Sequence, residues 1–153
     1  MRVPARHEID SRLARRLVAE QFQEWSHLQV SDVELSGWDN KTFRLGDTML
    51  IRLPSGSPYA AQVEKEHEWL PRLAEHLPFS IPTPLALGRP ANIFPWSWSV
   101  YEWIEGEPAA TAVIDDVVAF SGDVARFLGS LQRISPEDGP EPGWHCLYRG
   151  GDL

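Results

Sequence analysis

Ser36-Gly37-Trp38-Asp39-Asn40-Lys41-Thr42-Phe43-Arg44-Leu45-Gly46-Asp47-Thr48-Met49-Leu50-Ile51-Arg52-Leu53 is the stretch on which the reading of the fold turns. Two runs of strand-forming residues, Thr42–Leu45 and Thr48–Leu53, flank Gly46-Asp47. A two-residue loop containing Gly tolerates the positive φ that a tight hairpin needs. Before the first run, Gly37 to Asn40 is rich in residues that accept unusual backbone angles. Such a loop, followed by a strand that ends in a cation, is one way to hold a polyphosphate. Its N–H groups face the phosphates and the cation neutralises them.

Downstream, the spacing predicts a helix over Pro58 to Leu77, with Ser57 as N-cap and Pro58 at the first helical position. Val63, Leu70, Leu73 and Leu77 mark one face. Glu66 sits inside that stripe, whereas Glu64, Glu68, Arg72 and Glu75 fall mostly outside it. A carboxylate aimed at a core costs several kcal/mol unless it is paired. Arg52 is the candidate partner. By pattern alone a second placement stays open, with Glu66 at the stripe's edge reaching water.

These residues resemble a known family. Gly37-Trp38-Asp39-Asn40-x-x-Phe43-Arg44-Leu45-Gly46-Asp47, Ile51-Arg52-Leu53-Pro54, Val63-Glu64-Lys65-Glu66, Trp69-Leu70-Pro71-Arg72-Leu73 and Ile81-Pro82-x-Pro84 look like the amino-terminal half of an aminoglycoside phosphotransferase. The match runs in order from about Leu13 to the last residue. Members of that family are usually close to twice this length. The resemblance implies an α+β fold, a protein-kinase-like amino-terminal lobe, over residues 1–103. Residues 104–153 would be the hinge and the start of the larger lobe. It also implies ATP or GTP with Mg²⁺ as cofactor. Residues Gly37, Trp38, Asp39, Asn40, Lys41 and Thr42 would cover the phosphates. Arg52 would meet the α/β-phosphates with Glu66 orienting it, and Leu50 would join the nucleotide site. At the hinge, the Glu102 carbonyl and the Ile104 N–H would meet the base, with Tyr101 just before them. Many kinase-like proteins carry Lys where Arg52 stands. A guanidinium is a wide planar fork rather than a point charge, which we read as variation within the family.

Composition narrows the class. The 153 residues carry a net charge of −8, which argues against non-specific binding of nucleic acid. Hydrophobic content of 42% with 24% charged residues is that of a soluble globular protein. No apolar run is long enough to span a membrane, and Met1-Arg2-Val3-Pro4-Ala5-Arg6-His7 lacks the apolar segment of a secretion signal. The single Cys146 allows no internal disulfide framework, so the cytoplasm is expected. The five His residues show no ligand spacing. The seven Trp read as core and lobe-interface anchors, Trp38 in the proposed phosphate loop being the exception to test.

In chain order, Glu8–Phe22 reads as an amphipathic helix with Ile9, Leu13, Leu17 and Val18 on one face. Val30–Leu35 alternates as a strand, and further strands are expected at Leu85–Leu87 and Trp96–Trp103. The order gives a small antiparallel sheet with a helix packed across it. Glu102 to Pro108 reads by itself as a strand end and exit loop; only the resemblance makes it a hinge. Asp115–Ile134 is a third helix whose face of Val117, Phe120, Val124, Phe127 and Leu131 is too wide for one small lobe. An exposed apolar patch, or self-association through 115–134, is expected. Ser135–Leu153 reads as a loop.

Phosphoryl transfer in this fold needs a proton acceptor and metal ligands. In the family the acceptor and one ligand come from an H-G-D-x-x-x-x-N motif. Arg149-Gly150-Gly151-Asp152-Leu153 mimics its start, but Gly150 stands where His is needed and no Asn follows. The catalytic loop is therefore missing from this sequence, and no catalytic or metal-binding residue is assigned. The chain reads as the ATP-binding half of a kinase acting on a small-molecule hydroxyl, inactive alone. Two rivals remain: a non-catalytic half-kinase that holds nucleotide or a partner, and an inert truncated product.

Overall fold

The computed structural model describes residues 3–34, 37–137 and 139. Five strands, β1 (Val30–Asp32), β2 (Asn40–Leu45), β3 (Met49–Pro54), β4 (Pro84–Gly88) and β5 (Trp98–Glu102), form one antiparallel sheet in the order β1-β2-β3-β5-β4. Among the described residues three α-helices accompany it, α1 (Ser11–Gln21), α2 (Ser57–Ala74) and α3 (Val117–Gln132). This is the α+β architecture expected from the sequence.

The elements differ from the sequence reading mainly at their ends. The β2–β3 turn has three residues, Gly46 to Thr48, rather than two, and Leu45 faces Met49 across it. Gly46 does take the positive φ, 58°, and its N–H donates to the Gln29 carbonyl at 2.8 Å. Helix α1 starts at Ser11 rather than Glu8 because the Asp10 carboxylate caps the Leu13 N–H at 2.8 Å. In α2 the cap is Gly56 and Ser57 is already helical. That helix ends at Ala74, short of Leu77, since Pro78 disfavours helical geometry in the residue before it.

Alternation along the strands decides the two faces of the sheet. Phe43, Leu45, Ile51, Leu53, Trp98 and Val100 point to one side, where they bury against Leu17, Val18, Ala14 and Ile9. This is the hydrophobic core. Gly88 lies directly under the Trp98 indole, where a Cβ would come within 2.0 Å of the ring. Only a residue without a side chain lets the two strands close there.

The opposite face carries α2 and is polar, because the residues that alternate with the core positions are Thr42, Arg44, Leu50, Arg52, Ser99 and Tyr101. Of α2, Val63 alone is buried. Helix α3, capped by Asp116 on the Ala119 N–H, presents Val117, Val118, Phe120, Val124, Leu128 and Leu131 largely to solvent. Phe79 closes an apolar groove with Phe120, Val124, Phe127 and Leu128. Among the described residues no helix is long and apolar enough to cross a membrane.

Candidate nucleotide site

The polar face brings Thr42, Leu50, Arg52, Glu66 and Tyr101, all selected from the sequence, together. In the sheet register Leu50 lies between Arg44 and Tyr101, and Arg52 between Thr42 and Ser99. From α2, Glu66 reaches down to this face, and its Oε2 meets Arg52 Nη1 at 3.3 Å. The Tyr101 hydroxyl donates to the same Oε2. Arg52 also lies 4.9 Å above the Tyr101 ring. The Arg52 and Glu66 side chains are 30% and 25% exposed, so the guanidinium keeps an open side. Of the two placements open for Glu66, pairing is the one found.

Burial, then the adjacent Glu66 carboxylate and its hydrogen bond, push the Tyr101 phenol far above its ordinary range. It therefore stays protonated and stays a donor. Beside it, His67 Nε2 and Ser99 Oγ share a hydrogen bond of 2.5 Å. Burial lowers the pKa of His67, against the opposing pull of Glu66. The unfolded chain then takes up a proton near 6.5 that the folded one refuses. Stability is whole above that pH and falls as the pH drops below it, until His67 is charged in both states. His67→Gln is expected to shrink the loss of urea stability between pH 7.5 and 5.5 relative to wild type. An equal loss in both proteins would exclude His67 as its source.

The loop before β2 is held from outside. Arg6 donates to the carbonyls of Trp38 and Gly37 and lies 4.8 Å from the Trp38 ring. Ser55 Oγ donates to the Trp38 carbonyl at 2.9 Å, and the Ser55 N–H to the Asp39 carbonyl at 2.9 Å. The Trp38 ring itself is 76% exposed, unlike Trp98, which is fully buried. Asn40 and Thr42 fall on the Arg52 side of β2. Lys41 does not: it faces Leu53, so its side chain lies on the α1 side. One-residue alternation puts any Lys41 contact with Arg52's ligand on the backbone alone.

At the end of β5 the Glu102 N–H donates to the Thr83 carbonyl at 2.9 Å, and the Trp103 N–H to the Thr48 carbonyl at 2.8 Å. Among the described residues the Ile104 N–H, just past the strand, has no backbone partner. A cavity of about 660 Å³ opens here between Ala74, Phe79, Ile81, Thr83 and residues Glu102 to Glu105. Arg52 and Glu66 do not line it. Sequence reasoning missed Arg6, Arg44, His67 and Ser99. Arg44 and Ser99 left a signal, since their places between Phe43 and Leu45 and between Trp98 and Val100 put them opposite the core.

Among the described residues no group of three or more His, Cys, Asp and Glu side chains could hold a metal ion. The Arg149-to-Leu153 segment lies outside the described residues.

The family model described as the phosphotransferase enzyme family, APH, matches residues 33–150. No curated protein matches the chain in sequence. Among solved structures, the chain is similar to the GDP complex of wild-type aminoglycoside 2'-phosphotransferase-IIIa, with 19% identity and a TM-score of 0.75 over 84% of this chain and 44% of that one. It is similar also to the GDP and kanamycin complex of APH(2")-IIIa, with 20% identity and a TM-score of 0.70 over 80% and 42%. The streptomycin–ATP ternary complex of APH(2")-IIa gives 19% and 0.52 over 83% and 41%. At these identities the likeness is one of fold. The chain spans less than half the length of the solved structures it matches.

Proposed function

The chain belongs to the phosphotransferase enzyme family, and from that premise we propose that it is the nucleotide-binding part of a small-molecule kinase. Such a kinase moves a phosphoryl group from ATP or GTP to a substrate hydroxyl, that of an aminoglycoside or another small metabolite. Residues 1–103 would be the nucleotide lobe, and residues 104–153 the hinge and the start of the second lobe. The wide exposed face of α3 supports that division, because the remainder of a second lobe is what would cover it.

The observation that carries the reading is the Arg52–Glu66 pair on the polar face of the sheet. Glu66 and Tyr101 fix the guanidinium, whose remaining N–H groups are free to hold α- and β-phosphate oxygens. Residues Gly37 to Thr42 would cover the phosphates with backbone N–H groups. The groups at the hinge suit a purine edge, with the Glu102 carbonyl as acceptor and, as donor, the Ile104 N–H, which has no backbone partner among the described residues. When bound, the nucleotide supplies the phosphoryl group and carries Mg²⁺ on its phosphates. Kanamycin and streptomycin appear in the similar structures' complexes, which makes an aminoglycoside the first acceptor to try.

Titration calorimetry of the 153-residue chain with MgATP and with MgGTP tests the reading. Saturable binding of at least one is expected. Absence of heat with both, at high micromolar protein, would remove the nucleotide site.

A further inference from the structure

Arg44 is not among the residues assigned to nucleotide above, yet its guanidinium joins four groups. It stacks 3.8 Å from the centroid of the Trp103 ring. Its Nε donates to the Gly46 carbonyl at 3.3 Å, and its Nη2 donates to the Asp47 carbonyl. The same Nη2 meets Glu105 Oε1 at 3.1 Å. Two of these partners are the turn of the β2–β3 hairpin. The other two, Trp103 and Glu105, bracket Ile104, whose N–H has no backbone partner among the described residues.

We propose that Arg44 is a positioning residue for recognition of the nucleotide base: it pins the segment 103–105 to the hairpin tip and so fixes the Ile104 N–H and the Glu102 carbonyl for the purine edge. The inference rests on the nucleotide reading of this same site. The Glu105 pair by itself would do little, since Glu105 is 81% exposed and surface pairs contribute weakly. The stack on Trp103 is different, because the Arg44 side chain is only 23% exposed and a cation over a shielded indole is held more firmly. A planar fork lets one side chain reach two turn carbonyls while lying flat on the ring. Lys at this position keeps the charge and loses that geometry. Among the described residues the segment beyond β5 has one further backbone tie, from the Trp103 N–H to Thr48. Without Arg44, Glu105 loses its contact with the hairpin and the Trp103 indole its cation, leaving the Trp103 N–H as the tie nearest to Ile104.

The test separates base from phosphate. Wild type, Arg44→Ala and Arg44→Lys are titrated with adenosine and with MgATP, and with guanosine and MgGTP in parallel. Amide hydrogen exchange is followed without ligand. Arg44→Ala is expected to weaken adenosine and MgATP by the same factor, about tenfold, the scale of one lost charge-assisted hydrogen bond. The guanine pair is expected to shift likewise. Exchange should quicken at residues 103–105 and stay unchanged in α1. Arg44→Lys should fall between the two, and keeps the comparison available if the alanine variant does not fold. Unchanged nucleoside affinity in a folded variant overturns the proposal, as does unchanged exchange at 103–105. A wild type that binds neither nucleoside nor nucleotide overturns the site as a whole and this proposal with it.

Discussion

Replacing Arg52 by alanine is expected to weaken MgATP binding about a hundredfold while leaving adenosine binding unchanged. The factor corresponds to losing one or two hydrogen bonds from a charged donor, each about 1.5–3 kcal/mol. Adenosine lacks the phosphates, so it never meets the guanidinium. The split is what distinguishes Arg52 from Arg44, for which nucleoside and nucleotide are expected to suffer alike. Arg52→Ala also leaves the Glu66 carboxylate with Tyr101 as its remaining contact in this cluster. Some loss of thermal stability follows, moderated because both side chains of the pair reach water. Calorimetry on both ligands, with the melting temperature recorded, checks the claim. Equal weakening of adenosine and MgATP would move Arg52 away from the phosphates.

The Arg52–Glu66 pair was legible in the sequence because a conflict announced it. An acid in the apolar stripe of a helix demands a cation, and the hairpin offered one at a strand position facing away from the core. The sheet was legible for a related reason: period-two alternation in Phe43, Leu45, Ile51 and Leu53 repeats in Trp98 and Val100, and all six point at α1. What the sequence did not show are contacts between polar residues far apart in the chain. Arg6 grips carbonyls at positions 37 and 38, and Tyr101 finds Glu66 across 35 residues. No periodicity encodes such pairs, since they arise only when the sheet register and the tilt of α2 are fixed. The β2–β3 turn was misjudged on the same ground. Local propensity favoured two residues, but the tether of Gly46 to Gln29 and the Arg44 caps on Gly46 and Asp47 hold a turn of three.

Phosphate transfer by the 153-residue chain alone is expected to be undetectable with any aminoglycoside. Catalysis in a kinase-like fold is positioning and charge neutralisation divided between two lobes. In the reading proposed above, the Arg52–Glu66–Tyr101 cluster and residues 102–104 would belong to the first. The proton acceptor and the metal ligands belong to the second, and no H-G-D-x-x-x-x-N run occurs in these residues. A nucleotide held only here would present its terminal phosphate to water with Mg²⁺ gripped from one side. Groups that act as a unit do not leave fractional activity when half are missing. Binding without transfer is the outcome that also fits a half-kinase used only to hold nucleotide, so a second measurement is needed. A carboxy-terminal half from a full-length relative, expressed separately and mixed in, is expected to restore ATP-dependent phosphorylation of kanamycin through the exposed face of α3. An added Phe120→Asp, Val124→Asp double change on that face should abolish the restored turnover while leaving MgATP affinity intact. Radiolabelled transfer assays read both. Turnover by the 153 residues alone, abolished by Arg52→Ala, would show that the acceptor and metal ligands lie somewhere within them.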